Sequence, residues 1–136
     1  YQLINKRNVG HKIWGWKDPE SMTYINLIEP QLTNPQYIVV FRDPLAVTQK
    51  ELNTGLYDDP FEVLDLVISH RYKLTLDFIK KTNSPVMLIS YERALRDKKG
   101  LVNGLAEFVG VELTDKLMGN LEDYIQPGKH SRLKSD

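Results

Sequence analysis

Two short apolar runs, Tyr37–Phe41 (YIVVF) and Val86–Ser90 (VMLIS), restrict the fold of this chain more than any other feature. Both are near-continuous rather than alternating, the pattern of strands covered on both faces, as in a parallel sheet. The stretch between them is long enough for the crossover that parallel neighbours require. A third segment, Lys12–Trp16 (KIWGW), is expected to be a further strand ahead of them.

Helical patterns fill the intervals. Ser21–Leu32 is expected to be a helix closed by Asn34-Pro35. Pro44 stands at a natural helix start and Gly55 at a stop. Asp59-Pro60 opens a long helix to about Thr82, with Phe61, Leu64, Ile68, Tyr72, Leu76 and Ile79 spaced as one apolar stripe. Ser84-Pro85 ends it. Two shorter helices follow, Lys98–Val109 capped by Gly110, and Thr114–Ile125, before a polar, basic tail. Strands alternating with helices imply an α/β layered fold with right-handed crossovers. No repeat, low-complexity tract or linker interrupts it, so residues 1–136 read as a single domain or one piece of one.

Composition narrows the function. The chain has 136 residues, 41% hydrophobic and 26% charged, which is ordinary for a globular domain. Lys plus Arg, 18 residues, equals Asp plus Glu, 18 residues, so any anion site must be local. Neither nucleic acid nor an anionic membrane is an expected partner. The absence of cysteine excludes disulfides, thiolate catalysis and zinc–sulfur sites, and fits a cytoplasmic setting. No apolar run approaches the roughly 20 residues of a membrane helix.

Each expected strand runs directly into a polar pair: Lys17-Asp18, Arg42-Asp43 and Tyr91-Glu92. Parallel strands would project all three from one edge, where open α/β sheets bind their ligands. Arg42 is the sharpest of these residues. It leaves a buried strand just ahead of a helix start, and a guanidinium can grip a phosphate with two hydrogen bonds. Its structural alternative is an ion pair with Asp18 or Glu92 that holds the sheet edge. Lys17 offers a compact charge to a transferring group, or is simply solvated. Tyr91 contacts a base, or simply packs.

The blocks WGWKDP (Trp14–Pro19), IVVFRDPLAV (Ile38–Val47), LISYERAL (Leu88–Leu95) and LVNGLAEFVGVEL (Leu101–Leu113) resemble, in order, those of sulfotransferases that use 3′-phosphoadenosine 5′-phosphosulfate (PAPS). The resemblance implies a partial P-loop-type three-layer fold, its parallel sheet flanked by helices, with PAPS as sulfuryl donor and no metal. By the same resemblance Arg42 holds the 3′-phosphate, Tyr91 contacts the adenine and Lys17 stands beside the reacting sulfuryl group. Lys50 stands eight residues after Arg42, where the family usually places a serine. It either replaces that hydroxyl by charge or marks a lost contact. Lys129 and Arg132 are similar in place to a C-terminal phosphate-binding segment.

The family's first strand and glycine-rich 5′-phosphosulfate loop have no counterpart in the sequence. Gly10-His11-Lys12 has no strand, glycine-rich turn and helix around it. The chain is therefore expected to be a C-terminal portion of a longer protein, or, if complete, a short protein that repairs its sheet by dimerising. The catalytic base is unassigned. Asp18 and Glu20 lie nearest, but both suit the positive end of a helix. His11, His70 and His130 lack metal-ligand spacing. The expected activity is transfer of a sulfuryl group to a hydroxyl or amine on a small molecule or carbohydrate. The alternative is a non-catalytic remnant that binds a nucleotide or a partner chain. A kinase-like reading lacks both a Walker lysine loop and magnesium ligands.

Overall fold

A computed structural model describes residues 2–125 of the chain. They form two compact units, one made of residues up to Tyr37 together with Pro44–Val86, the other of Ile38–Asp43 and the described residues from Met87 onward. Strands β1 (Tyr37–Phe41) and β2 (Val86–Ser90) pair in a two-stranded parallel sheet. The Tyr37 N–H donates to the Pro85 carbonyl at 3.0 Å, setting Tyr37 beside Val86 and carrying the register to Phe41 beside Ser90. Both strands occupy the expected residues.

Their surroundings differ from the expectation. Ile38 is 45% exposed, Val40 56% and Leu88 56%, so alternate positions stay open to solvent among the described residues. A two-stranded sheet is too narrow for complete cover on both faces. Segment 12–16 is not a strand. It is irregular and follows a helix, α1 (Gln2–Gly10), that the apolar pattern does not reveal because it buries none of its residues. Side chains hold the segment instead of a ladder. Trp14 and Trp16 stack with ring centroids 5.6 Å apart, the Trp14 indole donates to Asn8 at 3.1 Å, and Asn8 donates to the Gln31 carbonyl at 3.1 Å.

The expected helix over 21–32 is broken into a 3₁₀ turn (Ser21–Thr23), α2 (Ile25–Ile28) and a second 3₁₀ turn (Glu29–Gln31). Pro30 has no N–H to continue the α-helical ladder. Helix α3 (Pro44–Leu52) follows β1, and Gly55 ends the following turn at φ 73°, where a Cβ is disfavoured. The long helix begins as α4 (Pro60–Leu66), passes through a π-helical stretch (Val67–Tyr72) and continues as α5 (Lys73–Lys81).

The expected stripe holds only in part. Phe61 is 80% exposed, and Ile68 and Leu76 nearly half, whereas Val63, Val67 and Phe78 are buried. Leu64, Tyr72 and Ile79 of the expected stripe are partly buried. The wider turn rotates the residues after it relative to an unbroken 3.6-residue repeat, which bears on Leu76 and Phe78; Phe61 precedes the stretch, in the first turn of α4. The core of this unit is Ile25, Val63, Val67 and Phe78, with Thr48 buried and bonded to the Pro44 carbonyl at 2.9 Å. Phe78 meets the Tyr37 ring edge-on at 4.8 Å.

In the other unit, α6 (Tyr91–Arg96) starts directly at the end of β2. Helix α7 (Lys98–Val109) is capped by the Asp97 carboxylate, which accepts the Gly100 N–H at 2.8 Å. It ends at Gly110, in the left-handed conformation at φ 69°, as the sequence leads one to expect. Gly104 of α7 faces Met87 of β2: a Cβ there would stand 3.2 Å from the Met87 methyl. Val102 and Ala106 are buried on this helix, and α8 (Asp115–Tyr124) follows.

Candidate functional site

Because β1 and β2 are parallel, their carboxyl ends lie at one edge of the sheet. Arg42 follows Phe41 and Tyr91 follows Ser90, so the register that pairs Phe41 with Ser90 brings Arg42 to Tyr91. The Arg42 guanidinium carbon lies 4.9 Å from the centroid of the Tyr91 ring, a cation–π contact between half-buried residues. A guanidinium over a ring face keeps its N–H bonds in its own plane, the geometry for meeting an anion edge-on.

A cation–π pair at a partly open site is worth about 0.5–1 kcal/mol. The backbone on either side is fixed by Glu92. One carboxylate oxygen of Glu92 accepts the Asp43 N–H at 2.8 Å, and the other lies 3.3 Å from the Ser90 hydroxyl. The same hydroxyl accepts the Arg93 N–H at 3.2 Å and caps α6. Burial pushes the Glu92 pKa up, but the N–H groups of Asp43 and of Glu92 itself, the Ser90 hydroxyl and the Arg42 charge outweigh it, and the net shift is downward. Glu92 is therefore an anion at neutral pH, adjoining Arg42.

The structure thus brings together Arg42, Asp43, Tyr91 and Glu92. The sequence reading places Glu92 in the strand-end pair with Tyr91 and as an alternative partner for Arg42, but not as a partner of the Asp43 backbone. Its link to the Asp43 N–H spans 49 positions of sequence and leaves no spacing signal. The serine cap does leave one: Ser90 stands three residues before Arg93, at N-cap spacing.

The other candidates belong to the first unit or fall outside the described residues. Lys17 is exposed, in the irregular segment of the first unit. Its neighbour Asp18 accepts hydrogen bonds from the Tyr24 hydroxyl and from the Glu20 N–H at 3.0 Å. The Tyr24 bond chiefly, then the Glu20 bond, hold its pKa below the usual carboxylate range despite some desolvation, with Lys17 adding to the effect. A carboxylate held in that state organises its turn and is a poor proton acceptor. Lys50 is exposed on the last turn of α3, also in the first unit. Arg132 and Lys129 lie outside the described residues, as does His130. His11 contacts Arg7 at 3.3 Å and His70 contacts Ser69 at 3.3 Å, both exposed. No group of three or more His, Cys, Asp or Glu among the described residues could hold a metal ion. No helix among them is long and apolar enough to cross a membrane.

Arginine beside a tyrosine ring at a strand-end edge suits a ligand that carries a phosphate next to an aromatic group. Arg42 lies over the ring of Tyr91, which is itself partly buried. A second phosphate cradle is not evident among the described glycines. Gly10 and Gly15 both stand in open space, with nothing within 4 Å of an added Cβ, so neither permits a close approach that another residue would block.

No family model matches the chain, and no curated protein matches it in sequence. Among solved structures it is similar to a sulfotransferase domain from the curacin biosynthetic pathway, with a TM-score of 0.71 at 20% identity over 85% of the chain. The chain spans 46% of that domain, somewhat less than half its length. The likeness shows a shared fold.

Proposed function

We propose that the chain is the part of a PAPS-dependent sulfotransferase that holds the 3′-phosphate end of the nucleotide. The observation that carries this reading is Arg42 lying over Tyr91 at the carboxyl ends of two parallel strands. The fold shared with a sulfotransferase domain supports it. In this reading Arg42 meets the 3′-phosphate edge-on, and Tyr91 contacts the adenine.

When bound, PAPS supplies an activated sulfuryl group, whose transfer breaks its sulfur–oxygen bond to the 5′-phosphate and forms a sulfur–oxygen bond to a hydroxyl or a sulfur–nitrogen bond to an amine, with loss of the acceptor's proton and release of adenosine 3′,5′-bisphosphate. The role of this chain's residues is to bind and orient. Lys17 is the proposed stabiliser of negative charge developing on the leaving oxygen. Among the described residues no glycine forms a cradle for the 5′ end, and the chain spans 46% of the related domain.

Loss of a charge-assisted hydrogen bond costs ~1.5–3 kcal/mol, so Arg42→Ala is expected to weaken binding of adenosine 3′,5′-bisphosphate roughly 10- to 150-fold. Isothermal titration calorimetry on folded wild type and variant measures it. Equal affinities would remove the assignment.

The alternative is a non-catalytic chain that binds a nucleotide without transferring sulfuryl. It is favoured by Asp18, the carboxylate next to Lys17 in the sequence, whose lowered pKa makes it a poor proton acceptor. Sulfation of a phenol or amine by the purified chain with PAPS would eliminate it.

A further inference from the structure

We propose that Glu92 is a positioning residue that holds Arg42 in the orientation needed to receive an anion. The inference rests on the reading of Arg42 as the phosphate-binding residue. Glu92 belongs to the first turn of α6, yet its carboxylate reaches the Asp43 N–H of the other strand's end at 2.8 Å. That bond pins the peptide immediately after Arg42. Its second oxygen reaches the Ser90 hydroxyl at 3.3 Å, which in turn caps α6. Tyr91, between Ser90 and Glu92, is thereby fixed from both sides, and its ring is the surface on which Arg42 lies.

One carboxylate thus fixes the backbone that carries the cation and the backbone that carries its platform. The strand pairing alone does not do this, because the ladder ends at Phe41 and Ser90. The charge of Glu92 lowers the local positive potential, so the residue weakens the pull of Arg42 on an anion while fixing its direction. A residue selected for anion attraction alone would not be acidic here. An acceptor needed for geometry can be.

The two roles of the side chain separate experimentally. Glu92→Gln keeps an oxygen acceptor for the Asp43 N–H and removes the charge, while Glu92→Ala removes both. Binding of adenosine 3′,5′-bisphosphate to the full chain is expected to weaken about 10-fold in Glu92→Ala, and Glu92→Gln is expected to restore most of that loss. In an Arg42→Ala background the Glu92→Ala change is expected to cost less than about 2-fold, because the residue acts through Arg42. An undiminished loss in that background, or none in the single variant, would overturn the proposal.

A second measurement does not depend on nucleotide binding. The Nε–H resonance of Arg42 should carry the ring-current shift of Tyr91 in wild type and lose it in Glu92→Ala. If wild type binds no nucleotide, loss of that shift upholds the positioning role while the nucleotide reading fails. Retention of the shift overturns the positioning role itself. Should Glu92→Ala fail to fold by circular dichroism, Glu92→Asp, which keeps the charge and shortens the reach, is judged by the same two readouts.

Discussion

Tyr37 carries a buried hydroxyl that meets no partner in hydrogen-bonding geometry, although its ring packs edge-on against Phe78. Burial, and then the Glu29 carboxylate nearby, push its pKa upward, so the phenol stays neutral. Glu29 instead accepts the Thr82 hydroxyl at 2.5 Å and the Ser84 hydroxyl at 3.4 Å. An unsatisfied buried hydroxyl costs ~1–3 kcal/mol, so Tyr37→Phe is expected to leave stability unchanged or raise it by up to about 1 kcal/mol. Phe78→Ala is expected to lose ~3–5 kcal/mol, since it empties a fully packed position. Urea denaturation of both variants checks the pair.

Glu92 also makes a prediction in pH. Its folded pKa lies below its unfolded one, so its contribution to stability is present above the unfolded value, about 4.3, and is lost as pH falls through the lower folded value. Urea midpoints should therefore decline between about pH 5 and pH 2, and Glu92→Gln should flatten that part of the decline. Asp18, lowered by Tyr24 and Glu20, contributes in the same direction. At this scale residue types were legible in the sequence and partners were not. Arg42 stands out as a charge leaving an apolar strand, but the carboxylate that orders its backbone lies 49 positions away.

Helix ends are the features most readable at the scale of elements. Asp59 caps α4 by accepting the Phe61 N–H at 2.8 Å and the Glu62 N–H at 3.4 Å, ahead of a proline that needs no partner. Asp59→Ala is expected to cost ~0.5–2 kcal/mol, read as a lower denaturation midpoint. Gly110→Ala forces a Cβ into the left-handed region at φ 69° and is expected to cost about 1 kcal/mol by the same assay. Such signals are local, because a cap and its amides lie within four residues of one another. Segment 12–16 shows the opposite case. Its aromatic residues have the composition of a strand, but a strand also needs a ladder partner, and here the tryptophans stack on each other. The π-helical stretch is equally invisible to periodicity, since the register shift that it introduces depends on which face finds a core.

Over the molecule, each unit has its own buried centre: Ile25, Val63, Val67 and Phe78 in one, Val102 and Ala106 in the other. Ile25 is 1% exposed on a helix of four residues, too short to persist without packing. Ile25→Ala is therefore expected to lose ~2–5 kcal/mol, measurable by thermal or urea unfolding. The sequence by itself determined the two strands, their parallel sense, the caps at Asp59 and Gly110, and the arginine and tyrosine that leave the strand ends. All follow from local chemistry, from a stretch between the two apolar runs long enough for a parallel crossover, or from residues suited to one backbone conformation. Tertiary structure alone decided that segment 12–16 is no strand, which face of the long helix is buried, and that Glu92 links the two strand ends. Those outcomes depend on which distant groups meet, and neither spacing nor composition encodes that.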